Sequence, residues 1–116
     1  MNDISGYCEI KNDVLASYWA ACRDKGFKGQ SREDVVAWVL DQWDLAYDHP
    51  FEKLMFNVIA LVLAGPWDRV LEGYHRKQCE LLIEDYRGLL PFDLISDEDY
   101  DQLRTDLKIL KLRPDF

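Results

Sequence analysis

The sequence predicts an all-α fold, a single-domain bundle of about five helices that spans residues 1–116 and surrounds a buried central helix at residues 50–64. The stretch PFEKLMFNVIALVLA is apolar around most of its circumference, which is typical of a helix buried on all sides. Elsewhere apolar residues recur at helical spacing, and capping residues, Gly and Pro separate these segments. No segment shows a convincing strand pattern, so the pattern favours a helical bundle.

The central helix carries few polar residues. Its apolar run is shorter than the stretch of about 20 residues that crosses a bilayer, so we interpret it as a core helix. At 100° per residue, the less apolar positions of this helix fall on one narrow strip, and the rest of its circumference is mostly apolar. This strip consists of Lys53, Asn57, Ala60 and Ala64.

The ends of this helix are marked by local signals. Pro50 fits the first turn, and Gly65 with Pro66 predicts a stop. We expect His49 to cap the helix or to hydrogen-bond the preceding loop. Glu52 lies in the first turn, where a carboxylate can meet free backbone N–H groups and a neighbouring arginine, and we expect a structural ion pair there.

Residues 1–11 are predicted to be irregular. Asn12 or Asp13 can cap a first helix at about 12–25, where apolar residues recur at helical spacing. The side chains expected against the core are Tyr7, Ile10, Val14, Leu15, Tyr18, Trp19 and Cys22.

A second helix opens at Ser31, because Ser31 with Asp34 three residues later resembles a capping box. Val35, Val39 and Trp43 mark its apolar face. Three aspartates spaced by seven residues lie on another face with a fourth beside them, and a tryptophan and a leucine project close to this edge. These two apolar side chains are either anchors for a protein partner or, for the tryptophan, a core residue covered by the next helix. We call this set the acidic edge: Asp34, Trp38, Asp41, Asp44, Leu45 and Asp48.

A fourth helix is predicted from about Pro66 to Arg87, ended by Gly88, with Gly73 marking a close approach of another helix. Residues 89–95 are predicted to form a loop with apolar side chains.

The last helix starts with a repeated capping signal, Ser96 with Asp99, and runs to about Leu112. Residues 107–112 also resemble a strand, but the preceding cap favours a helix. The acidic first turns are either a second partner-binding surface or charges that suit a helix N-terminus. We call this set the second acidic group: Asp97, Glu98, Asp99 and Asp101.

The net charge of −8 and the pI near 4.6 argue against direct binding of nucleic acid or of an anionic membrane. They fit a basic partner, although acidity also serves solubility alone. The three cysteines are too few and too far apart for a disulfide framework or a zinc site. Free thiols and a first segment without signal-peptide features lead us to expect a cytoplasmic protein.

Motifs of enzyme chemistry are missing from the sequence, and we expect neither an enzyme, nor a cofactor, nor a bound metal. His75 is expected on a polar helix face, in solvent. A helix-turn-helix reader would have to use the basic residues of YHRKQ, but acidic residues surround them and make a poor phosphate footprint.

The stretch HPFEKLMFNVIALVLAGPW, the Tyr-rich amphipathic helix after it and the ending DEDYDQLRTDLKIL resemble small helical immunity proteins of bacterial toxin–immunity systems. The likeness spans roughly residues 31–112 and is nearest to the immunity proteins paired with contact-dependent growth inhibition toxins and related polymorphic toxins. It implies a cytoplasmic protein that binds a cognate toxin domain, often a nuclease, and blocks its active site or substrate surface. The resemblance assigns no individual contact residue.

We therefore expect a protein that neutralises a basic, RNA- or DNA-cleaving toxin domain, in a one-to-one complex or with weak homodimerisation. The acidic edge is the first candidate surface and the second acidic group is the other. The rival hypothesis is an acidic regulatory or adaptor protein that belongs to a larger assembly.

Overall fold

Five α-helices make up the computed structural model, which describes residues 5–25, 31–65, 69–85 and 96–112. Within these ranges there is no β-strand, so the predicted all-α bundle is confirmed. The helices are α1 (Tyr7–Lys25), α2 (Arg32–Asp44), α3 (Pro50–Ala64), α4 (Arg69–Asp85) and α5 (Asp97–Ile109).

Helix α3 is the centre of the bundle and packs against all four other helices. Phe51, Leu54 and Met55 are fully buried, and each such side chain contributes about 1.5–3 kcal/mol by leaving water. The predicted bounds are confirmed. Pro50 occupies the first turn, His49 Nδ1 accepts the backbone N–H of Phe51 at 3.1 Å, and Gly65 ends the helix with a φ of 58°.

The narrow strip of α3 faces α4, the helix with which α3 packs most extensively. Asn57, Ala60 and Ala64 are all buried, because small side chains let the two helices approach. Asn57 Nδ2 donates to the carbonyl of Lys53 at 2.7 Å, and Asn57 Oδ1 lies 2.7 Å from His75 Nδ1. In this amide orientation His75 Nδ1 carries the proton and donates it to Asn57.

His75 is therefore a core residue, and the expectation of a solvated histidine is wrong. Only 4% of its surface is exposed, and its ring packs edge-on against Phe56. The reason is helical phase: His75 precedes Cys79 and Ile83 by one and two turns, and both of these are buried. This spacing could have predicted the burial of His75 from the sequence, but the charged residues next to His75 indicated a polar face instead.

Two further expectations about side-chain environment are wrong. Gly73 marks no close approach, since a Cβ at this position would meet no atom within 4 Å. Trp19 is 63% exposed, because it lies outside the buried stripe that Val14 and Tyr18 form, and it packs edge-on against Tyr18.

Helix α1 begins at Tyr7, so the prediction of an irregular segment through residue 11 is wrong for residues 7–11. Its N-terminal N–H groups find acceptors in distant parts of the chain. Asp99 Oδ1, 91 residues away, accepts the N–H of Cys8 at 2.9 Å. Just before the helix, Ser5 donates its N–H to Glu52 Oε2 at 2.9 Å.

Glu52 thus meets a backbone N–H group, and the described residues show no ion pair between it and an arginine. Gly6 is needed beside this cap, because a Cβ there would lie 2.1 Å from Asp99 Oδ2. Partial burial raises the pKa of the Asp99 carboxyl, but hydrogen bonds from Cys8 and Ser96 outweigh burial and hold the pKa below its usual value of 3.8.

A buried polar cluster joins α1 to α5. The hydroxyl of Tyr7 donates to Asp106 Oδ2, and Lys11 Nζ lies 2.8 Å from the same oxygen. Tyr7 and Asp106 are both buried, so removing the Tyr7 hydroxyl or the Asp106 carboxylate would cost its partner a buried hydrogen bond, which is worth about 1–3 kcal/mol.

Both serine caps predicted from the sequence are confirmed. The hydroxyl of Ser31 accepts the N–H of Asp34, and that of Ser96 accepts the N–H of Asp99, each at 3.2 Å. Helix α5 ends at Ile109, slightly before the predicted end. The expected positions of Pro66, Gly88 and the 89–95 loop lie outside the described residues.

We expect Asp99→Ala to lower the free energy of unfolding by about 1–3 kcal/mol, because it removes the acceptor of the Cys8 N–H at the start of α1 and of the Ser96 hydroxyl before α5. Urea unfolding measures the loss, and amide exchange should speed up at residues 7–10. The matched control is Asp97→Ala in the same exposed helix start, which should cost only about 0.3–1 kcal/mol. Equal losses in both variants would contradict the capping role.

Candidate functional site

The acidic edge is displayed along the solvent face of α2. Asp34, Trp38 and Asp41 lie at positions i, i+4 and i+7 of this helix, and Leu45 follows at i+11. At 1.5 Å per residue they form a stripe about 16 Å long. Trp38 is 44% exposed and Leu45 88%, so Trp38 is not a buried core residue. The structure thus brings charged and apolar groups together on one accessible face.

The remaining two aspartates of the acidic edge lie beside this stripe. Asp44 is the last residue of α2. Asp48 lies in the connection to α3, so the prediction that it shares a helix face with Asp34 and Asp41 is wrong, because α2 ends at Asp44; both aspartates are exposed. Burial lowers the pKa of His75, and the carboxylates of Asp44 and Asp41 oppose this shift. These two carboxylates are therefore within electrostatic reach of α4.

The second acidic group is divided by the structure. Asp97, Glu98 and Asp101 are exposed, whereas Asp99 is turned toward α1. Both carboxylate oxygens of Asp99 are used within the chain, one by the N–H of Cys8 and the other by the hydroxyl of Ser96 at 3.0 Å. Asp99 therefore acts as a cap, and only the other three carboxylates remain available as a surface.

The two acidic surfaces lie on different sides of α1. Lys11 of α1 contacts Asp106 of α5, whereas Ser17 Oγ accepts the indole N–H of Trp43 in α2 at 2.9 Å. At 100° per residue, Lys11 and Ser17 point about 120° apart around α1. A small partner domain would meet one surface or the other.

A groove of about 460 Å³ runs between α1 and α2, and the sequence analysis did not find it. Small side chains of α1 leave the space, and two indole rings of α2 form part of its wall. The small residues at positions 16, 17, 20 and 21 of α1 were the sequence feature that could have predicted the groove. The local sequence did not show which helix would pack opposite them. The lining residues are Ser17, Ala20, Ala21, Trp38, Val39, Gln42, Trp43 and Ala46.

Tyr47 directly follows Ala46, which lines this groove. Its ring stacks on Trp43, with centroids 6.1 Å apart, and touches Phe56. Tyr47 is 6% exposed, and its buried hydroxyl has no hydrogen-bond partner within the described residues. Burial raises the pKa of Tyr47 to about 12, and the carboxylates of Asp13, Glu52 and Glu9 act in the same direction. The hydroxyl is therefore protonated at neutral pH and lies in a negative field.

Both histidines are engaged in structural contacts, and the thiols of Cys8 and Cys79 are kept protonated. His49 caps α3, and His75 is bonded to Asn57. Burial raises the pKa of the Cys8 thiol to about 11 and that of the Cys79 thiol to about 12, so both are protonated and poor nucleophiles at neutral pH. All three cysteines are free thiols.

Within residues 5–25, 31–65, 69–85 and 96–112, no three or more His, Cys, Asp or Glu side chains are placed to hold a metal ion. The same part of the chain contains no helix with the length and apolar character that a membrane span requires.

No protein-family model matches the chain, and no curated protein or solved structure matches it significantly.

We expect His75 to titrate below pH 6.5, because burial penalises its charged form. The unfolded chain then binds a proton at higher pH than the folded one, so the free energy of unfolding falls as the pH drops below about 6.5. NMR titration of the imidazole and urea unfolding at pH 7.5 and 5.5 measure both effects. His75→Gln keeps a donor for Asn57 and should lose this contribution. Titration of His75 above pH 6.5 would contradict the buried assignment.

Proposed function

We propose that this chain is an immunity protein that binds and neutralises a basic toxin domain, with the acidic edge of α2 as its contact surface. The observation that carries the proposal is the mixed surface itself, in which Trp38 and Leu45 are exposed among Asp34, Asp41 and Asp44. The resemblance of residues 31–112 to immunity proteins of polymorphic toxins supports the class of partner.

The two kinds of side chain in the acidic edge have different tasks. Carboxylates attract a positively charged partner over several ångströms and speed association, most strongly at low salt. Once the surfaces meet, a partly exposed Trp38 and an exposed Leu45 bury apolar area, which slows dissociation. A surface with both groups combines fast capture with a long-lived complex.

Neutralisation then follows from competition for the same basic surface. A toxin that cleaves RNA or DNA must hold a polyanion with Lys and Arg side chains. Carboxylates placed on an exposed helix face offer that surface an alternative anion, and the bulk of the bundle blocks access to the nucleic acid. The net charge of −8 favours this partner over nucleic acid itself.

The proposed site of action is the cytoplasm, where the toxin meets its substrate. The three free thiols agree with a reducing compartment. The proposed complex is one-to-one, and it requires no cofactor.

Affinity capture tests the proposal directly. The tagged chain is recovered from its native strain, and co-purifying proteins are identified by mass spectrometry. We expect one basic toxin domain at a near one-to-one ratio, and co-expression should then restore growth of cells that produce this domain. Recovery of a housekeeping complex, or of the bait alone, would contradict the immunity function.

Charge reversal tests the surface. We expect Asp41→Lys with Asp44→Lys to slow association with the captured toxin domain about 10-fold at low salt, because the steering field is reversed there. The fold should be kept, since both residues are exposed and lysine suits the last turn of a helix, which lacks a basic residue here. Stopped-flow kinetics at several salt concentrations measure the rates.

The matched control changes the net charge equally in the second acidic group, through Glu98→Lys with Asp101→Lys. Both positions are exposed, and Asp99, the capping residue, is left intact. This control should slow association much less. If it slows association more than the α2 variant does, the toxin domain binds at the start of α5 and the acidic edge is the wrong surface.

A second candidate function is supported by the outer face of α4. Val70, Tyr74 and Leu81 lie at positions i, i+4 and i+11 and are all more than half exposed, so α4 presents an apolar stripe to solvent. Such a stripe suits an adaptor that is a subunit of a larger assembly, or a homodimer.

We expect Leu81→Glu to weaken any self-association through this stripe, because it places a charge in an apolar contact. Sedimentation equilibrium over a range of protein concentrations measures the monomer–dimer constant. The control is Glu80→Gln, one position away and exposed. A chain that stays monomeric at millimolar concentration, or a dimer that tolerates Leu81→Glu, would exclude self-association through α4.

A further inference from the structure

The exposed stripe of α2 is too small to hold a protein partner by itself. A stripe about 16 Å long on a helix about 10 Å wide covers about 160 Å². A stable protein–protein interface buries about 800 Å² on each partner, and its centre is more apolar than its rim. A stable complex through the acidic edge therefore needs further surface beside the stripe, and this surface is expected to be apolar.

The two flanks of the stripe differ in chemistry. One flank carries the exposed carboxylate of Asp44, whereas the other begins with Trp38 and Gln42, which both line the groove between α1 and α2. At 100° per residue, Leu45 lies 20° before Trp38 around α2 and Gln42 lies 40° after it. The exposed side chain of Leu45, the ring of Trp38 and the groove thus follow one another around the helix, so the groove continues the apolar part of the acidic edge.

The lining of the groove suits an uncharged occupant. None of its eight lining residues is charged, and four of them are Ser or Ala. The indole N–H of Trp43 is donated to Ser17 Oγ at 2.9 Å, so this ring asks for no polar partner in the groove. A Lys or Arg side chain placed there would lose hydration without meeting a carboxylate. The groove therefore favours apolar side chains.

The shape of the groove suits a helix as the occupant. On the α2 side its lining extends from Trp38 to Ala46, which corresponds to about 12 Å, or two helical turns. Small side chains let a third helix approach α1 and α2 closely, with its apolar side chains directed into the space. Sites of about 300–1,000 Å³ take a whole drug-sized ligand, so the volume of about 460 Å³ has room for two apolar side chains one turn apart.

We propose that the groove between α1 and α2 receives the apolar face of an amphipathic helix from the same partner whose basic surface meets the acidic edge. The inference rests on the proposed function, from which it takes the partner. It adds a contact on α1, which the acidic edge does not include. The two contacts have separate kinetic roles, because carboxylates mainly speed association whereas apolar burial mainly slows dissociation.

Gln42→Glu distinguishes an apolar occupant from a cationic one. The substitution keeps the size of the side chain and places a carboxylate at the groove. An apolar helix face would have to cover this charge, so we expect the complex with the captured toxin domain to dissociate about 5-fold faster. Gln102→Glu on α5 is the matched control, since it makes the same change at an exposed position and should leave dissociation unchanged. Slower dissociation of the Gln42→Glu complex would show a cationic occupant and overturn the proposal.

Filling the groove tests the same contact independently. Ala20→Phe places a ring between α1 and α2, and we expect the complex to dissociate about 10-fold faster at low and at high salt alike, because the lost contact is apolar. Urea unfolding checks that the variant is folded, and Gln42→Glu decides the question if it is not. Wild-type dissociation rates for the folded groove variants would overturn the docking site and leave the immunity function intact.

A peptide probe tests the groove when no toxin domain is captured and the proposed function has failed. The probe is a helix of about 14 residues, or four turns, made of Ala and Gln with Leu along one side, and its counterpart has Lys in place of the central Leu residues. We expect only the first peptide to shift the indole NMR signals of Trp38 and Trp43, while Trp19, on another side of α1, stays unshifted. No shift at Trp38 and Trp43, or an equal shift with the Lys peptide, would overturn the site.

Discussion

The need to keep α3 out of water determines where every other helix of the bundle lies. This helix is apolar nearly all round, and it is buried over most of its length because α1, α2, α4 and α5 each cover part of it. Each covering helix uses one side for this contact and leaves the other side to solvent. The surfaces available for binding a partner are therefore the outer faces of the covering helices and the grooves between them.

Carboxylates serve two purposes in this acidic chain, and their position decides which. Asp99 and Asp106 turn inward and hold α1 against α5, through the N–H of Cys8 and through Tyr7 with Lys11. The aspartates of α2 turn outward, where they are exposed to solvent and project a negative field. The net charge of −8 is therefore not one uniform property, because inward carboxylates are neutralised by contacts and outward ones remain available for recognition.

Apolar exposure is also concentrated rather than scattered. Trp38 and Leu45 lie among the aspartates of α2, and Trp38 also lines the groove between α1 and α2. The apolar stripe of α4 has a mixed charge setting, since Lys77 lies between Tyr74 and Leu81 and Glu84 follows Leu81 by three residues on the same side of the helix. This contrast is why a basic partner is assigned to the α2 side and why self-association or assembly is the alternative for α4.

The sequence by itself determined the helical class, the central helix at residues 50–64 and the caps at Ser31, His49 and Ser96. These features depend on residues within one or two turns, where periodicity and capping operate. It also placed Asp34, Trp38 and Asp41 on one face of α2, although the binding role of this face stays a proposal. Only the tertiary structure decided that α1 starts at Tyr7, that His75 is buried against Asn57 and that small residues of α1 leave a groove opposite Trp38. Each of these depends on contacts between helices far apart in the chain, and local spacing carries no record of which faces will meet.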